Sequence, residues 1–88
     1  MKPIEPIEAI RIISETALTI VVIDAQGAIR ECIPFDTDPP LEWMHENRER
    51  FSGCAVKDIR KQQLSLEELQ EIIKDAAKWI EMFRRYES

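Results

Sequence analysis

The fold of this chain is decided by the stretch LTIVVIDAQGAIRECI, which runs from Leu18 to Ile33. Its first six residues are apolar except for Thr19 and mostly β-branched, a composition typical of a strand covered on both faces. Asp24 can bond its own backbone and Gly27 can adopt a positive φ, so a hairpin turn is predicted between them. Pro34 cannot donate to a ladder, and the returning strand should therefore stop there or lie at an edge. We predict a hairpin over about residues 18–34.

A long helix is predicted from about residue 66 to residue 86. Ser65 and Glu68 form a capping box, in which the hydroxyl accepts a backbone N–H and the carboxylate reaches back to the serine N–H. Arg84 and Arg85 stand near the negative end of the helix, where cations are favourable. Apolar residues recur with a spacing of three and four at Leu66, Leu69, Ile73, Ala76, Ile80 and Phe83.

A second helix is predicted from Pro39 to about Phe51, after a loop over residues 36–40. Asp38 is its expected N-cap and Gly53 its stop. Its apolar side is expected to carry Leu41, Met44, Arg48 and Phe51.

Residues 6–16 are open to two interpretations. Isoleucines at every third position favour a helix, whereas β-branching favours a strand. A short third strand is expected near residues 56–60. The element order predicts an α+β fold in one small domain over residues 1–88. A small, mainly antiparallel sheet would pack against two or three helices.

Composition excludes several classes of protein. The chain has 88 residues, of which 44% are hydrophobic and 33% charged, as in a single globular domain. No apolar run approaches the roughly 18 residues of a membrane span, and acid and proline stand where a secretory signal would be apolar. Cys32 and Cys54 are therefore expected to be reduced thiols in a cytoplasmic protein.

Residues that could carry catalysis are scarce. His45 is the only histidine, and with Glu42 it makes one half of a carboxylate-bridged di-metal site whose other half is missing. The spacing of Cys32, Cys54 and His45 matches no compact zinc site. Two glycines cannot build a phosphate loop. We expect no enzyme activity, no cofactor and no metal.

Acidic charge is concentrated in the middle of the sequence. Residues 36–54 hold five carboxylates and two arginines, whereas residues 55–88 hold seven charges of each sign. Such a segment would repel nucleic acid and attract a basic partner. A small basic patch at Lys57, Arg60 and Lys61 precedes a helix rich in acids, so direct binding to nucleic acid is not expected.

The leading hypothesis is a non-enzymatic protein-binding module, such as a stoichiometric inhibitor or adaptor of the kind that phages and mobile elements encode. It would engage a basic protein surface, including one that normally binds nucleic acid. Trp43 lies off the apolar side, where an exposed indole would be a hot spot; its burial in the core is the alternative. The predicted binding residues are Asp36, Asp38, Glu42, Trp43, Glu46 and Glu49.

The alternative hypothesis is a homodimeric regulatory or sensory domain that dimerises through its C-terminal helix. The apolar stripe of that helix is wider than one thin sheet can cover, which favours a second chain as its cover. The predicted interface residues are Trp79, Ile80, Met82, Phe83 and Tyr86.

The sensory alternative draws on two stretches. IVVIDAQGAI at residues 20–29, with a helix before it, resembles the entry of a PAS sensory domain, and FSGCAVKDI at residues 51–59 is similar to its later segment. The resemblance covers about residues 8–59. Cys32-Ile33-Pro34 stands where the family has a polar Asn, and a helix is expected where the family has a closing three-strand meander. No ligand-binding or signalling residue is carried over from it.

Overall fold

A three-stranded antiparallel sheet with the order β2-β1-β3 is the centre of the computed structural model, which describes residues 2–39 and 41–87. The elements in chain order are α1 (Pro6–Ser14), β1 (Leu18–Ile23), β2 (Ile29–Phe35), α2 (Leu41–Glu46), β3 (Ala55–Ile59) and α3 (Leu66–Glu87). All six residues of β1 are buried, as expected for a strand covered on both faces. The α+β fold predicted from the sequence is confirmed.

The β1–β2 turn has the predicted chemistry. Gly27 adopts a φ of +81°, and the Asp24 Oδ1 accepts backbone N–H bonds from Gln26 at 3.0 Å and Ala28 at 2.9 Å. Strand β2 continues through Pro34 to Phe35. Proline is tolerated there because β2 lies at the edge of the sheet.

One face of the sheet is covered by helices α1 and α3. Residues 6–14, which the sequence left open, form a helix, and Ala9 and Ile13 bury one side of it. Ile7 is 73% exposed and Ile4 lies outside the helix, where it bridges to Ile29. The buried members of this cluster are Ala9, Ile13, Val21, Ile23, Ile29, Ile59, Leu64, Leu69 and Ala76.

The opposite face is covered by α2 and the turns that follow it. The prediction that this helix extends from Pro39 to Phe51 was wrong, because α2 ends at Glu46. The Asn47 backbone N–H and its side-chain Nδ2 both donate to the Trp43 carbonyl, at 3.1 and 2.8 Å. The next backbone bond, from the Arg48 N–H to the His45 carbonyl, spans three residues, and the chain continues in tight turns to Cys54. Asp38 and Pro39 precede α2, and Pro40 of the predicted loop lies outside the described residues.

Helix α3 begins with the predicted capping box. The Ser65 Oγ accepts the Glu68 N–H at 3.1 Å, and the Glu68 carboxylate accepts the Ser65 N–H at 3.3 Å. Leu69 and Ala76 are fully buried, whereas no described side chain after Ala76 is. The C-terminal half of α3 is therefore less deeply buried than its N-terminal half. In the part of the chain that is described, no helix has the length and apolar character needed to cross a membrane.

Candidate functional site

Helix α2 is held to the domain by one aromatic side chain. The Trp43 ring lies 5.0 Å from the Phe35 ring and 5.9 Å from the Phe51 ring, measured between centroids. Phe51 is buried and Trp43 is half-buried. Trp43, predicted as a binding residue, thus packs against its own domain and keeps part of its surface exposed.

The predicted acidic residues are all at the surface. The exposed side chains are Asp36, Asp38, Glu42, Glu46 and Glu49. Asp38 forms an ion pair with Arg60, with 2.6 Å between Oδ1 of Asp38 and Nη1 of Arg60. Within residues 2–39 and 41–87, the other four carboxylates lie in no ion pair, so they remain available to an external cation.

An apolar residue stands among these acids, where the sequence did not predict one. Leu41 is 90% exposed and Met44 is also exposed, so the predicted apolar side is wrong at these two residues, whereas Phe51 is buried as expected. The large side chain of α2 that packs inward is instead the indole of Trp43, against Phe35 and Phe51. The signal in the sequence was that Trp43 has the largest apolar surface of the segment.

We call residues 36–49 the acidic segment. An ion pair between Arg50 and Glu31 of β2, together with the buried Phe51, holds the chain at its C-terminal side. Leu41 is thus an apolar group on a fixed support, with carboxylates before and after it in the chain. This combination can bind a cationic surface that offers a small apolar depression.

An open concavity of about 630 Å³ adjoins the acidic segment. Its lining residues are His45, Glu46, Arg48, Glu49 and Ser52. Glu42 and His45, the predicted half of a di-metal site, are both exposed. No group of three His, Cys, Asp or Glu residues is placed to hold a metal ion in the described part of the chain.

The two cysteines lie on opposite faces of the sheet. Cys32 packs on the cluster beneath α1 and α3, and Cys54 packs on the cluster beneath α2. Both are free thiols and half-buried. Burial, aided by the negative charge of Glu8, raises the pKa of Cys32 to about 11, so its nucleophilic thiolate is scarce at neutral pH.

Two of the three cations in the basic patch before α3, Arg60 and Lys61, are already paired with acids. Arg60 contacts both Asp38 and Asp58, and the hydrogen bonds that its guanidinium donates to these two carboxylates raise the pKa of Arg60. Lys61 donates to Glu68 at 2.6 Å, and this bond lowers the pKa of Glu68. Pairing reduces the positive potential that a phosphate backbone would need.

A second exposed surface lies on the C-terminal half of α3. We call Trp79, Met82, Phe83 and Tyr86 the α3 stripe; they are 55%, 41%, 61% and 84% exposed. The rings of Trp79 and Phe83 stack at a centroid distance of 6.1 Å. Ile80, also predicted in the interface, is half-buried and lines a groove with Phe83, Arg84 and residues 52–54.

No protein-family model, no curated protein and no solved structure matches this chain. The resemblance to PAS domains therefore depends on the quoted residues alone. Two exposed surfaces of the chain, the acidic segment and the α3 stripe, are suited to contact a partner.

Proposed function

We propose that this protein is a non-enzymatic binding module that docks onto a basic protein surface through its acidic segment. The observation that carries the proposal is Leu41, a 90% exposed apolar side chain. It stands between Asp36 and the three glutamates of the segment, which lie in no ion pair in the described structure. Typical interfaces have an apolar anchor at the centre and a polar rim, and the segment offers both.

The support beneath Leu41 makes the segment suitable for binding. An isolated helix of six residues would not persist in water, but the contacts of Trp43 with Phe35 and Phe51 fix α2 before any partner arrives. Binding then loses little conformational entropy in this segment. Burying Leu41 in a partner would contribute about 1.5–3 kcal/mol.

The carboxylates define the class of partner. Glu42, Glu46 and Glu49, together with Asp36, would steer lysines and arginines toward the segment and speed association at low salt. A protein surface that binds nucleic acid has this positive charge. The chain would then act as a stoichiometric inhibitor, by occupying such a surface, or as an adaptor attached to it.

A comparative pull-down tests the proposal. The tagged wild-type chain serves as bait in a lysate of its native host, beside a variant with Glu42, Glu46 and Glu49 all replaced by Lys. The control replaces Glu5, Glu67 and Glu71 by Lys, which makes the same change in net charge at three exposed acids elsewhere. A specific basic partner retained by the wild type and the control, and lost by the first variant, supports the proposal. Equal recovery by all three baits contradicts it.

A further inference from the structure

We infer that a second copy of this chain covers the α3 stripe, with the two α3 helices packed antiparallel across a two-fold axis. The inference goes beyond the proposed function, because the stripe shares no residue with the acidic segment. Trp79, Met82, Phe83 and Tyr86 follow the i, i+3, i+4, i+7 spacing of a single helical face. That pattern is typical of a helix that packs against another helix.

The area of the stripe fits a dimer. Aromatic side chains bury roughly 150–250 Å² each, so exposures of 55%, 61% and 84% for Trp79, Phe83 and Tyr86 leave roughly 300–500 Å² of surface on the three side chains. A stable interface takes about 800 Å² from each partner, with a polar rim around its apolar centre. The stripe supplies the centre, and Met82 and the groove beside Ile80 extend it.

The stripe is also matched to itself. A two-fold axis between positions 82 and 83 places Trp79 opposite Tyr86 of the second copy, and Met82 opposite Phe83 of the second copy. The rings of Trp79 and Tyr86 then pack against each other at both ends of the interface, and Met82 packs against Phe83 at its centre. An interface of this kind is isologous and closes as a dimer without leaving an apolar face free.

Charge favours the antiparallel orientation. Antiparallel packing opposes the two helix dipoles. Parallel packing would align the dipoles and bring the arginines of the two C-terminal turns together.

Sedimentation equilibrium from micromolar to millimolar protein tests the inference. We expect the wild-type mass to approach twice the 10.3 kDa of one chain, and Phe83→Asp to return it to one chain with unchanged helix content by circular dichroism. Ile7→Asp, which changes an exposed isoleucine on α1, is the matched control and should remain dimeric. A wild-type monomer throughout this range, or a dimer that survives Phe83→Asp, overturns the inference.

A cross-linking experiment tests the orientation in a chain with Cys32 and Cys54 replaced by Ser. Tyr86→Cys alone should not oxidise to a covalent dimer, because antiparallel packing sets position 86 opposite position 79 of the other copy. An equimolar mixture of Tyr86→Cys and Trp79→Cys should form the mixed disulfide. Ready cross-linking of Tyr86→Cys with itself, and none in the mixture, contradicts antiparallel packing. Neither result affects the acidic segment, so the dimer and the proposed function can fail separately.

Discussion

The indole of Trp43 meets the ring of Phe35 edge-on, with 5.0 Å between the centroids and an angle of 84° between the planes. This contact joins α2 to the edge strand β2 and fixes which side of the short helix faces outward. Leu41 and the carboxylates of the acidic segment are exposed as a consequence. The binding surface proposed for this protein thus depends on one half-buried tryptophan.

Replacing Trp43 by alanine should lower the free energy of unfolding by about 2–3 kcal/mol, less than for a fully buried tryptophan because the side chain is half exposed. Urea denaturation at one protein concentration measures the change. Trp43→Phe should recover much of the loss, because it keeps a ring against Phe35 and Phe51. A Trp43→Ala chain as stable as the wild type would show that the aromatic contacts do not hold α2.

Replacing Leu41 by alanine should separate binding from stability. Because Leu41 is 90% exposed, the free energy of unfolding should change by no more than about 0.5 kcal/mol. Affinity for the partner identified by pull-down should fall about tenfold or more, as when an apolar anchor is removed from an interface. Ile7→Ala, at another exposed apolar side chain, is the control. Unchanged affinity would exclude Leu41 as an anchor.

The sheet and α3 could be predicted from the sequence because their signals are local. The β-branched run at β1, the Asp24–Gly27 turn and the Ser65–Glu68 box each specify their own structure, and the structure confirms all three.

The acidic segment was harder to predict. Its helix changes to tight turns after Glu46, and its orientation is set by Phe35 on another element. The 3-4 spacing of Leu41 and Met44 indicated a buried side, but a tertiary contact overrode it. The spacing of the isoleucines in α1 likewise indicated that Ile7 shares one helical face with Ile13, but α1 buries Ala9 and Ile13 and leaves Ile7 exposed.

Acid should weaken the fold in part through Asp24. Burial of this carboxyl opposes its charge, but N–H groups of Ala28 and Gln26 and the Arg30 guanidinium donate to it, and the pKa of Asp24 lies below the ordinary 3.8. A lowered pKa in the folded state gives stability that is present above 3.8 and lost as the pH falls through the folded value.

Asp24→Asn tests this effect. The variant should be about 1–2 kcal/mol less stable than the wild type at neutral pH, because the charged bond to Arg30 is lost. The difference should shrink in acid, where the wild-type carboxyl is protonated. Urea denaturation from pH 7 to pH 2 measures the free energy of unfolding of both chains. A difference between them that stays constant over this range would show that the charge of Asp24 does not stabilise the fold.

Cys32 should react slowly with thiol reagents. With a pKa of about 11 in place of 9.0, it holds about a hundredth of the ordinary thiolate near neutral pH. In a Cys54→Ser chain, the rate of alkylation by iodoacetamide should rise tenfold per pH unit to beyond pH 10. As a control, the alkylation rate of the same chain unfolded in urea should level off near pH 9. A plateau near pH 9 in the folded chain would show that Cys32 is not shielded.

The most direct test of the central claim is the dissociation constant of the partner complex at low salt, measured by titration calorimetry. For the chain with Glu42, Glu46 and Glu49 replaced by Lys, we predict binding at least about 100-fold weaker than wild type, because repulsion replaces attraction. The difference in affinity between this variant and the wild type should become smaller as added salt screens the repulsion. The chain with Glu5, Glu67 and Glu71 replaced by Lys should bind like the wild type. Equal dissociation constants for the wild type and the first variant would contradict a role for the acidic segment in binding.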